Sequence, residues 1–136
     1  MKPPVETVRV NRRGKEILIK LKRQTGIENW NVLCRWALVA SLAEKKHPPT
    51  VRKASEVGVE MTWKVFAGDY ANVLAGLIAK RASAAGMNDT AEDRSDFLRA
   101  HITRGLDYLG SGFETKSIGA FLNRWVPGGS ALAAKD

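Results

Sequence analysis

The run Asn31–Leu42, Asn-Val-Leu-Cys-Arg-Trp-Ala-Leu-Val-Ala-Ser-Leu, constrains the fold more than any other stretch of the chain. Wound into a helix, Val32, Leu33, Cys34, Trp36, Ala37, Leu38, Val39, Ala40 and Leu42 leave almost no side free of apolar groups. A helix that is apolar all round must be buried all round. A chain of 136 residues can cover one or two faces of such a helix from its own segments. The remaining surface is expected to pack against another copy of the chain. Asn31 and Arg35, four residues apart and so on one face, are the polar interruptions.

The neighbouring segments fit a mainly α, single-domain helical bundle with a short N-terminal strand and one further extended piece. Val5–Val10 alternates as a strand does. Asn11 then stands where an N-cap belongs, and a helix is predicted from there to about Thr25, closed by Gly26 at the left-handed C′ position. Asn29 is placed to cap the central helix, which is predicted to end near Glu44 before His47-Pro48-Pro49 breaks the pattern. From Val57 to Phe66 a period of two predicts an extended segment ended by Gly68. Asp69 is then expected to cap a third helix, Tyr70 to about Ala85, with Tyr70, Val73, Leu74, Leu77 and Ile78 as its apolar stripe. Thr90 and Asp93 resemble a capping box opening a fourth helix to Leu109. Its arc is Phe97, Leu98, Ile102, Gly105, Leu106 and Leu109. A fifth helix is expected at about Thr115–Trp125, inside a single domain spanning 1–126, with a disordered tail over 127–136.

Charge separates this chain from an ordinary helical domain. The formal net charge is +8 and the pI is near 9.9. Residues 1–23 hold eight basic and two acidic residues, so three-quarters of the surplus falls in the first sixth of the chain. In the first helix Ile17, Leu18 and Leu21 share one side, and Arg12, Arg13, Lys15, Lys20, Lys22 and Arg23 share the other. A one-sided positive helix fits a polyanion, most often nucleic acid. Ile19 sits within that basic side, either as an isolated exposed residue or as part of a contact surface.

The remaining chemistry-bearing residues read as structural. Cys34, the single cysteine, lies among Leu33, Trp36 and Leu38, surroundings that disfavour a thiolate. One cysteine excludes an intrachain disulfide or a multi-cysteine metal site. His101 falls in the apolar arc of the fourth helix and reads as a hydrogen-bonded, half-buried side chain, and His47 is too far away in sequence to suggest a zinc pair. No phosphate-cradling glycine loop is present, and Glu92, Asp93 and Asp96 sit where a helix dipole explains them. We therefore expect no catalysis, no metal and no cofactor. Arg35 must find a partner in its apolar helix. That partner is either a carboxylate such as Glu60 or Asp69, or a phosphate at the edge of an oligomer. No run is long enough to span a membrane and the N-terminus has no signal core, so the expected compartment is the cytoplasm.

Two resemblances extend this reading. The strand at Thr7–Val10, followed by two helices, resembles the N-terminal half of ribbon–helix–helix repressors, in which Thr7 and Arg9 of paired strands would read base edges. A more extensive resemblance covers Val5 to Leu109. Leu21-Lys22-Arg23-Gln24-Thr25-Gly26, Asn31-Val32-Leu33-Cys34-Arg35-x-Ala37, Ser41-Leu42, Gly58-Val59-Glu60-Met61, Gly68-Asp69-Tyr70 and His101-Ile102-x-Arg104-Gly105 resemble the DndE family of bacterial DNA sulfur-modification systems. The family places Thr-Pro or Ser-Pro before that asparagine, where this chain has Glu28-Asn29-Trp30. The resemblance implies a non-catalytic DNA-binding subunit of phosphorothioation, typically a homotetramer, that works beside other modification subunits and has nicked duplex DNA as ligand. On this reading Arg9, Arg12, Arg13, Lys15, Lys20, Lys22, Arg23 and Arg35 are the candidate contacts to double-stranded DNA. A scaffold that docks an acidic protein is a third alternative.

Overall fold

Two antiparallel strands and five α-helices make up the fold in a computed structural model that describes residues 2–49 and 57–112. The order is β1 (Thr7–Asn11), α1 (Arg12–Thr25), α2 (Trp30–Leu42), β2 (Val57–Thr62), α3 (Trp63–Ala67), a 3₁₀ turn (Gly68–Tyr70), α4 (Ala71–Ala84) and α5 (Ala91–Gly112). The helix predicted at 115–125 and the tail over 127–136 lie outside the described residues. Among the described residues no helix is long and apolar enough to cross a membrane.

β1 pairs antiparallel with β2, Val8 opposite Met61 and Arg9 opposite Glu60, with an irregularity between Val10 and Asn11. Alternation turns Val8 and Val10 into the core, at 2% and 4% exposure, and leaves Arg9 outside. A ribbon–helix–helix dimer draws the partner of this strand from a second copy; here that pairing is made within the chain.

α1 follows β1 without a linker. The Asn11 Oδ1 accepts from the Gly14 N–H at 2.8 Å, satisfying one of the free amides of the first turn. At the other end Gly26 adopts φ 77° and its N–H donates to the Lys22 carbonyl, the left-handed closure expected of a C′ glycine. Leu18 and Leu21 are wholly buried.

α2 and α5 form the centre of the molecule. Leu33, Ala37 and Leu38 of α2 and Ile102, Leu106 and Leu109 of α5 are buried together with Leu18, Leu21, Phe66 and Ile78. The crossing is close because Gly105 has no side chain: a Cβ there would lie 1.8 Å from the Ala37 carbonyl oxygen. α5 runs through Gly110 to Gly112, beyond the end expected at Leu109. The Thr90 hydroxyl oxygen accepts from the Asp93 N–H at 3.1 Å, as the capping pattern predicts.

Five expectations are corrected by the structure. Residues 63–67 are helical, not extended: the Thr62 side chain caps the Val65 N–H, and Trp63 and Phe66, three apart, turn inward together. Asp69 lies within the 3₁₀ turn and does not cap α4, which starts at Ala71. The stripe of α4 is split, with Leu74 and Ile78 buried but Tyr70, Val73 and Leu77 at 58%, 62% and 42% exposure. α2 stops at Leu42, and Asn29 occupies its N-cap position without a side-chain cap.

Candidate nucleic-acid interface

α1 presents its cations in two groups. On the side facing α5, the Arg13 guanidinium lies 3.3 Å from the Asp107 carboxylate, and the Lys20 ammonium donates to the Gly110 carbonyl at 3.3 Å. These two side chains close the groove between α1 and α5 that Ile17 and Ser111 also line. Lys20 so placed meets the negative end of the α5 dipole. On the outer ridge Lys15, Lys22 and Arg23 have no hydrogen-bond or ion-pair partner among the described residues, and Ile19 stands between them at 45% exposure. Arg12 is exposed at the head of the same helix. Arg9, on β1, is paired across the sheet with Glu60 at 3.5 Å, both half exposed.

Arg35 does not join this face. Its Nη1 donates to the Phe66 carbonyl at 2.8 Å and its guanidinium lies 5.4 Å from the centre of the Tyr70 ring. Its partner is therefore the C-terminus of α3 and an aromatic face, not Glu60 or Asp69. Beside it Val32, Trp36 and Val39 of α2, with Tyr70, Val73 and Leu77, line an apolar groove open to solvent. This is the face of the central helix that the described residues leave open.

Two further arginines serve the inside of the molecule, and the sequence did not single out either role. α2 has no basic residue in its last turn. Arg81 of α4 donates to the Leu42 and Glu44 carbonyls, the latter at 2.9 Å. Arg104 of α5 donates to the Ser41 carbonyl at 2.8 Å, to the Lys46 carbonyl at 2.6 Å and, through Nε, to the Ser41 Oγ at 2.8 Å. Carbonyls at and just beyond the end of α2 thus receive donors from two other helices, the Ser41 carbonyl in addition to the Glu44 N–H. The only available signal was the sequence pair His101 and Arg104, three apart and so on one face, with Ser41 sixty residues away.

Ser41 also bonds the His101 Nδ1 at 2.8 Å. The same serine oxygen accepts from the Arg104 Nε, and the His101 Nε2 has no partner among the described residues. His101 is fully buried against Phe97, at 4.5 Å between rings, not half-buried as expected. Burial first, then the charges of Arg104, Arg81 and His47, hold its pKa down at about 4. The pair resembles a nucleophile and its base, but both side chains are sealed from solvent, and the contact ties α2 to α5. Cys34 is equally enclosed, and burial pushes its thiol up to about 12. No group of three or more metal-binding side chains occurs among the described residues.

The chain is thus a small helical bundle whose first helix carries Lys15, Lys22 and Arg23 on its outer side without partners among the described residues. The comparison with known families is specific: the model for DndE, the DNA sulphur modification protein, matches residues 7–117, and the chain belongs to this family. The match runs from β1 through the whole of α5. Membership links the chain to DNA sulfur modification and to the system that carries it out. No curated protein matches the chain significantly.

Proposed function

We propose that this protein is a non-catalytic, self-associating accessory subunit of DNA phosphorothioation that binds the duplex backbone, nicks included, through the outer ridge of α1. The observation that carries the reading is that Lys22 and Arg23, both exposed, and the half-buried Lys15 share the outer side of one helix with no partner among the described residues. Unpaired cations on a rigid element favour phosphate contacts, which give affinity and orientation without reading sequence. Arg12 belongs to the same face. Arg9, Arg13 and Lys20 flank it, and each must exchange an internal contact for a phosphate. Arg35, engaged with α3 and Tyr70, is removed from the set. A non-catalytic role is supported by the enclosure of Cys34, Ser41 and His101.

The groove of Val32, Trp36, Val39, Val73 and Leu77 supports self-association, with a tetramer as the assembly implied by the family resemblance. Val39→Asp combined with Leu77→Glu is expected to lower the molar mass by light scattering while the helical circular dichroism is retained. For DNA, the test is a salt-titrated duplex-binding assay on a Lys15→Glu, Lys22→Glu, Arg23→Glu variant, with intact and nicked duplexes side by side. The parent is expected to bind with a steep salt dependence, about 0.9 log units per phosphate neutralised, and the variant to lose binding while keeping its assembly. Unchanged affinity in the variant would reject the ridge as the binding face.

A further inference from the structure

Ile19 breaks the basic ridge at its midpoint. A single exposed isoleucine is ordinary on a protein surface. This one has Lys15 one turn before it and Lys22 and Arg23 one turn after it, all without partners among the described residues. The single acidic residue of the helix, Glu16, is three residues before Ile19 and stands on its α5 side, where it lines the groove with Lys20 and Arg13. Along the ridge itself the order is cation, apolar group, cation, with successive members about 6 Å apart along the helix axis.

The cover for such a surface is limited by its charge. A second copy of α1 would bring Lys15, Lys22 and Arg23 against their own equivalents in a contact with few counter-charges. A nucleic-acid strand offers the complement, because an apolar sugar lies between each pair of phosphates. We propose that Ile19 seats on a deoxyribose of the bound strand while Lys15 and the Lys22–Arg23 pair hold the phosphates on either side of it. This rests on the duplex-binding reading above and adds a part of the interface that is independent of salt. Phosphate contacts release counterions and so set the salt slope, whereas burying a sugar under Ile19 releases none.

The two contributions separate in one experiment on the full chain, with fluorescence anisotropy of a labelled DNA duplex across a salt series. Ile19→Ala is expected to weaken binding roughly three- to tenfold, from the methylene groups lost, by the same factor at every salt concentration. Ile19→Leu is expected to restore most of the affinity. Lys22→Ala, by contrast, is expected to lower the salt slope by about 0.9. Neither change is expected to alter the thermal midpoint or the molar mass. If the parent binds duplex and Ile19→Ala binds equally well, the sugar contact is wrong and backbone binding by the ridge stands. If Ile19→Ala reduces the molar mass, Ile19 belongs to a contact between copies and the proposal is overturned. If the parent does not bind duplex at low salt, both this proposal and the reading it rests on fall together.

Discussion

The arginines and lysines of α1 and those around the end of α2 carry the same charge and are used in opposite ways. Around α2, Arg81 and Arg104 reach inward and terminate a helix whose own sequence supplies no basic C-terminal turn, and Arg35 does the same for α3. On α1 the caps are local, Asn11 at one end and Gly26 at the other, so the helix needs none of its outer cations for its own integrity. The contrast teaches that a positive charge indicates a binding role only after the internal carbonyls and carboxylates have been satisfied. By that test Lys15, Lys22 and Arg23 qualify, and Arg35 does not.

Substitutions can break or sharpen this division. The largest stability effect is expected from Arg104→Ala, which removes the buried guanidinium donor from both the Ser41 Oγ and the Ser41 carbonyl and frees the Lys46 carbonyl to water. A loss of about 3 kcal/mol is expected in urea denaturation, against less than about 0.5 kcal/mol for Lys22→Ala or Arg23→Ala. Equal losses for the two groups would erase the distinction.

The pH dependence sharpens it next. His101 titrates near 6.5 when unfolded and near 4 when folded, so between these values the unfolded chain binds a proton that the folded chain refuses. Its contribution is complete above about pH 6.5 and is lost as pH falls toward 4, by up to roughly 3 kcal/mol. Denaturation midpoints across that window should fall with pH in the parent and show a flatter profile in His101→Gln. A smaller effect again is expected from Glu60→Gln. Releasing Arg9 from a half-exposed ion pair should change stability by less than about 1 kcal/mol. If Arg9 then turns to phosphate, duplex affinity should rise modestly in the same anisotropy assay.

Much of the framework was legible because it is written locally. Asn11, Gly26 and the Thr90–Asp93 pair mark helix ends through their own backbone amides, and the two-sided pattern of α1 identifies its buried flank without knowledge of what lies beneath it. Residues 63–67 were misread because Trp63 and Val65 continue the alternation of β2. A helix of five residues is too short to establish its own period against that. The stripe of α4 was recognised, but periodicity says which side chains share a face and not whether anything covers them. Arg35 illustrates the remaining limit. Its need for a partner followed from its surroundings, while the partner proved to be a main-chain oxygen at the end of the segment misread as strand.

Because Asn11 ends the strand and Arg12 begins the helix, the direction of α1 is dictated by a sheet that reaches from the N-terminus to mid-chain. No hinge separates α1 from the body of the molecule. On the proposed reading, a polyanion would meet side chains on an already oriented backbone, and the ordering cost within the protein would fall on side-chain rotamers alone. Several copies assembled through their apolar grooves would then hold their α1 helices at set angles, so that the spacing of grips along a duplex would be a property of the assembly rather than of any flexible joint.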